Sequence, residues 1–231
     1  MKKAVSILMA LIMGIAMTFA FSACADSNAG SNTESSKSNS QNTSVNSENK
    51  TNKDAKALVV YFSVPDDKDN SYVEVNGERL GNTQYMANVI QKNTNADIFR
   101  ITPKTPYPTN HDALLEAAQE EIRNNARPEI DGTIKNFDSY DVVFVGYPTW
   151  NSDMPYIMYT FFETYDFSGK TIVPFNTHGG SGFSGTRETI AKLEPNASML
   201  EGKSISRDSI EGAEQEIIDW LDGIGMLKSA D

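Results

Sequence analysis

Asp141-Val-Val-Phe-Val-Gly-Tyr147 is the most apolar short run in the C-terminal three quarters of the chain. It has the length of one strand and no polar alternation, as expected for a strand covered on both faces. Ala57-Leu-Val-Val-Tyr-Phe-Ser63 reads the same way. Asp97–Ile101 and Lys170–Asn176 add two more strands, the latter weakened by Pro174. Residues 198–205 supply a last one. Between these runs the apolar period lengthens to that of a helix. Met86, Val89 and Ile90 share a face over Thr83–Thr94. Leu114, Leu115, Ala118 and Ile122 form a stripe over Thr109–Asn125, with Thr109 as its expected cap. Met154–Tyr165, Thr186–Leu193 and Ile210–Leu221 complete the set. Strand and helix in alternation predict an α/β fold: one doubly wound, five-stranded parallel sheet with helices on both faces.

What precedes residue 57 is different in kind. Met1-Lys2-Lys3 is basic, Ala4–Phe21 is almost continuously apolar, and Ser22-Ala23-Cys24 follows. This is the layout of an export signal, and Phe21-Ser22-Ala23-Cys24 resembles a bacterial lipobox with Phe in place of the usual Leu. The expectation is a signal peptide over 1–23 and a lipidated Cys24. An uncleaved anchor and an ordinary cleaved signal are the alternatives. Residues 25–56 are rich in Ser, Asn, Thr and Lys, and predict a disordered tether of roughly 30 Å mean span. The folded domain is expected over 57–231, outside the cytoplasm and held to a lipid membrane.

The chain carries 20 Lys or Arg against 31 Asp or Glu. Residues 1–56 have a net charge of +2 and residues 57–231 a net charge of −13. Such acidity argues against nucleic acid as a partner and favours cationic ones. A single cysteine excludes an internal disulfide, and one Cys with two His leaves little for a metal. No metal ligand and no catalytic residue is assigned.

In a doubly wound sheet, ligands bind at the carboxyl ends of the strands, so three loops matter. Ser63 ends the first strand and Gly81-Asn82-Thr83 opens the first helix, where a helix N-terminus suits a phosphate. Pro148-Thr149-Trp150-Asn151 follows the third strand and offers an aromatic to a flat ring. Thr177-His178-Gly179-Gly180-Ser181-Gly182 follows the fourth and lets backbone approach a ligand. Each loop also has a plain reading, as a helix cap, a core plug and a turn.

Together the three loops resemble those of the flavodoxin-like family over about residues 57–225. The resemblance implies flavin mononucleotide (FMN) as cofactor. Ser63, Gly81, Asn82 and Thr83 match the phosphate loop. Pro148, Thr149, Trp150 and Asn151 match the loop against the ring. Thr177, His178, Gly179 and Gly180 match the ring-edge loop, which Gly182 continues. His178 would give the ring a hydrogen bond or a proton, or else only cap its own loop. Tyr107 is a candidate for flanking the pocket, and His111 is expected at the surface. The family pattern is broken by an acidic insert, residues 64–80, expected to loop outward. The function implied is electron transfer, with redox proteins of cationic surface as partners. A flavin-dependent NAD(P)H:quinone-type oxidoreductase and a flavin-free binding lipoprotein are the alternatives.

Overall fold

The computed structural model describes residues 55–229. The signal segment, Cys24 and the tether up to residue 54 lie outside the described residues. Lys56 belongs to the fold rather than to a tether. Its carbonyl accepts from the Asp141 N–H at 2.9 Å, and its ammonium lies 4.3 Å over the Tyr140 ring.

Strands β1 (Ala57–Tyr61), β4 (Asp97–Arg100), β7 (Val142–Pro148), β8 (Thr171–His178) and β10 (Lys203–Ser206) form a parallel sheet in the order β4-β1-β7-β8-β10. In chain order this is 2-1-3-4-5, the flavodoxin-like form of the doubly wound sheet. Alternation along each strand feeds two cores. Val59, Tyr61, Phe144 and Phe175 enter the core covered by α1 (Asn82–Thr94) and α5 (Glu214–Gly223). Leu58, Val60, Val143 and Tyr147 enter the core covered by α3 (Tyr156–Thr164) and α4 (Thr186–Leu193). The switch in strand order between β1 and β7 opens the crevice at their carboxyl ends.

The fifth position of the sheet is shared. The two-residue strand β9 (Ser198–Met199) pairs with Thr171–Ile172, and β10 pairs from Phe175 onward. Three steps along β8 are matched by four along the edge, which is a bulge of one residue. Pro174 lies opposite the break and has no N–H to offer. Gly202 fills the gap, since a Cβ there would lie 2.5 Å from the Pro174 carbonyl oxygen.

The insert is not an irregular loop. Residues 72–81 form a hairpin, β2 (Tyr72–Val75) against β3 (Glu78–Gly81), turned by Asn76 and Gly77 at φ 52° and 81°. Positive φ at both turn positions is what an Asn-Gly hairpin turn provides. Val73 of the hairpin is buried in the core beneath α1. A second small pair, β5 (Thr102–Pro103) with β6 (Ile130–Asp131), lies off the main sheet. Helix α2 (His111–Asn124) is capped by Asn110, whose side-chain oxygen accepts from the Ala113 N–H at 3.1 Å, and not by Thr109.

Candidate functional site

A cleft opens where the crevice was expected, with an enclosed volume of about 160 Å³. All three predicted loops reach it. Ser63, Asn82 and Thr83 line one end. Pro148, Thr149, Trp150 and Asn151 line it from the second loop, and Thr177, His178 and Gly179 from the third. Gly81, Gly180 and Gly182 do not line the cleft but support it. A Cβ on Gly81 would lie 2.3 Å from Ser63 Oγ, so a larger residue there would force that hydroxyl to turn away. The Gly180 N–H donates to His178 Nδ1 at 2.9 Å. The Gly182 carbonyl accepts from Asn176 Nδ2 at 2.8 Å and from Thr149 Oγ1 at 3.0 Å.

These bonds make the loops one unit. Asn176 Nδ2 also donates to Thr149 Oγ1 at 2.6 Å, and the Thr149 N–H donates to the Thr177 carbonyl at 2.8 Å. The buried hydroxyls of Thr83 and Thr177 share a hydrogen bond at 2.8 Å, joining the start of α1 to the end of β8. The Trp150–Asp153 turn is closed by two backbone bonds of 2.9 Å. It holds Asn151 and Ser152 at φ 49° and 63°, a conformation that costs a non-glycine residue energy.

Trp150 meets Phe62 and Tyr107 edge to face, each at 5.4 Å between centroids. Tyr107 therefore stands behind Trp150 and fixes its plane. Its hydroxyl is buried, and burial raises the pKa of both Tyr107 and Glu121. With Nδ1 of His178 accepting from Gly180, the ring proton sits on Nε2. Burial lowers the pKa of His178, which keeps the ring neutral. The loop-capping role of this histidine is thus present, and its side chain still borders the cleft.

The structure corrects the sequence reading at three places. His111 is not a free surface residue: Nδ1 lies 2.6 Å from Asp66 Oδ2, and both side chains line the cleft. The insert does not simply loop outward. Its first part, residues 65–71, runs as a strap across the cleft, with Asp66, Asn70 and Ser71 in the wall. Asp67 fastens it at one end, accepting from the His111 N–H at 3.0 Å and from Asn110 Nδ2 at 2.8 Å. At the other end, Asn70 donates to Asp208 at 2.9 Å. Third, Leu114, Leu115 and Ala118 of α2 face the cleft and form its apolar wall. Arg207, just after β10, completes the lining. The strand-end rule applied to the fifth strand would have found it.

One end of the cleft is therefore polar and lies at a helix N-terminus, and the other is aromatic and apolar. Asn82 Oδ1 is buried at the polar end and has no hydrogen-bond partner, so it can accept from a ligand hydroxyl. This is a site for an amphipathic molecule with a flat ring and a polar or anionic tail.

Such a cleft, at the switch point of a 2-1-3-4-5 sheet, defines a mononucleotide-binding class of α/β protein. The chain belongs to the flavodoxin family: a flavodoxin family model matches residues 72–224. Among solved structures, it is similar to a candidate flavoprotein from Bacteroides eggerthii. That match has 30% identity and a TM-score of 0.59, and covers 74% of this chain and 98% of the other. A second candidate flavoprotein, from Bacteroides uniformis, is 26% identical with a TM-score of 0.55, covering 71% and 97%. A flavoprotein from Lactobacillus acidophilus, solved in complex with FMN, shares the fold at 15% identity and a TM-score of 0.50, covering 68% and 97%. No curated protein matches the chain in sequence.

Proposed function

We propose that this protein binds FMN in the cleft and carries electrons at the outer face of the cytoplasmic membrane, tethered through a lipidated Cys24. The observation that carries the cofactor is the division of the cleft. Ser63, after β1, and Asn82 and Thr83, at the start of α1, line the end read as the phosphate end, and Asn82 Oδ1 is free to accept from a ribityl hydroxyl. Trp150 and the α2 wall stand ready for the ring. The enclosed volume of about 160 Å³ is below that of a pocket that swallows its ligand, about 300–1,000 Å³. The phosphate end would be enclosed and the ring would lie at the rim, where a partner can reach it. Bound FMN supplies the one- and two-electron redox chemistry. The chain's own part is to hold the ring, order the loops through Asn176 and Thr149, and offer a neutral His178 with its proton on Nε2. The −13 charge of residues 57–231 supports a redox partner with a cationic surface.

A visible spectrum of the purified chain with an FMN titration tests the cofactor. Oxidised-flavin bands at one FMN per chain are expected. A colourless protein that ignores FMN overturns this reading and leaves the flavin-free binding lipoprotein. With FMN bound, rapid turnover of NAD(P)H would replace the carrier by a reductase. A labelled fatty acid fed to the cells should be incorporated into the wild type and not into Cys24→Ser, and a wild type without label would sink the lipid tether.

A further inference from the structure

The phosphate end of the cleft is unusual in its electrostatics. The Asn82 N–H, the first of α1, donates to the Ser71 carbonyl at 3.2 Å, and Asn82 Nδ2 donates to the Asn70 carbonyl at 2.7 Å. Gly81, at the cap position, has no side chain to contribute. The strap thus places two carbonyl oxygens against the helix start, and the carboxylate of Asp66 lines the same cleft. A phosphate entering there meets fewer free N–H donors and more oxygen than a bare helix N-terminus would show it. The positive charge needed to hold a dianion has to come from elsewhere.

We propose that Arg207 supplies it, and that this arginine sets the preference of the cleft for a phosphorylated flavin over the dephosphorylated one. The inference rests on reading the cleft as an FMN site. Arg207 is the one Lys or Arg in the cleft wall. Its N–H donates to the His178 carbonyl at 2.8 Å, which anchors it beside the third loop. Its guanidinium lies against Gly179: a Cβ there would be 3.4 Å from both Cζ and Nε of the arginine. The next residue, Asp208, accepts from Asn70, whose carbonyl is held by Asn82. Arg207 therefore lines the cleft beside the third loop, whose Thr177 hydroxyl is bonded to that of Thr83 at the start of α1. Among the described residues it makes no ion pair; Arg100, Arg123 and Arg187 make none either, but they do not line the cleft. A planar, always-charged fork without a partner suits phosphate oxygens.

The test compares FMN with riboflavin, which lacks the phosphate, by fluorescence titration of the full chain and its Arg207→Gln variant. The wild type should bind FMN more tightly than riboflavin. Arg207→Gln should weaken FMN about ten- to a hundredfold, the range of a lost hydrogen bond to a charged group, and leave riboflavin unchanged. Arg207→Lys should recover part of the loss. The salt dependence of FMN binding should flatten in the Gln variant. Equal loss of both ligands, or loss of neither, overturns the role in phosphate recognition. A wild type that binds both flavins alike overturns it while leaving the flavin reading standing. A wild type that binds neither removes the flavin reading and this inference with it. The side chain is exposed, so the variant should melt with the wild type.

Discussion

Gly146→Ala should damage the protein far more than one methyl suggests. Gly146 sits in β7 between Tyr61 and Phe175, its register partners in β1 and β8. Its φ is not positive, so alanine has no backbone penalty there. The cost is steric. A Cβ would lie 2.1, 2.2 and 2.8 Å from Cζ, Cε2 and Cε1 of Phe175. Ordinary carbon contacts are about 3.5–4.0 Å, so the overlap is roughly 1.5 Å. Phe175 is fully buried, and the strands on either side are tied by ladder bonds, so neither can yield cheaply. Overpacking costs about 1–3 kcal/mol, and this case belongs at the upper end. At about 2–4 °C per kcal/mol for a domain of this size, Tm should fall by about 6–12 °C. Thermal melting by circular dichroism measures it. The decisive variant is Gly146→Ala with Phe175→Leu. If the clash with the ring is the cause, the pair should melt near Phe175→Leu alone, a coupling of about 2–3 kcal/mol. Additive losses in the double variant, or a single variant within 2 °C of wild type by the scale above, would refute the reasoning.

Thr83→Val and Thr177→Val should each cost about 1–3 kcal/mol by orphaning the other buried hydroxyl, while the double variant should be less damaged than the sum; denaturant melts of the three variants decide. Trp150→Ala should weaken FMN several-fold, in line with about 0.5–1.5 kcal/mol for an aromatic contact beyond its area, and brighten flavin fluorescence; unchanged affinity removes the ring from the site. Burial, aided by Asp166, raises the pKa of Glu194 to about 7. A raised acid pKa means that the folded state keeps a proton the unfolded state has lost, so this group withdraws stability as pH rises from about 4.5 to 7. Glu194→Gln should therefore match wild type near pH 4.5 and exceed it above pH 7, read as Tm against pH; a difference independent of pH refutes it.

The centre of the sheet was legible because β1, β7 and β8 are buried on both faces, and such strands need nothing but apolar residues: β1 and β7 stand in the sequence almost as they stand in the fold. Three ligand loops followed from the strand-end rule without any knowledge of contacts. The hairpin of the insert was also written in the sequence, as Tyr72-Val-Glu-Val75 alternation and an Asn76-Gly77 turn, but strands of four residues carry too short a period to stand out. His111 could not be placed, because its partner Asp66 lies 45 residues earlier and is brought to it by the strap. The bulge opposite Pro174 was half visible. The proline announced a fault in pairing, but not that the neighbouring edge strand would absorb it by splitting in two. Arg207 was within reach of the strand-end rule, which had not been carried to the fifth strand.

The split edge also bears on how such molecules behave when crowded together. An open strand is a template on which a second chain can zip, and long flat edges seed aggregation. Here the bulge between Met199 and Lys203 interrupts one margin of the sheet after two residues. The opposite margin, β4, is only four residues long and carries Asp97 and Arg100 at its ends. Among the described residues neither border offers a long continuous run of unpaired backbone. Copies crowded side by side would find no long rail on which to join.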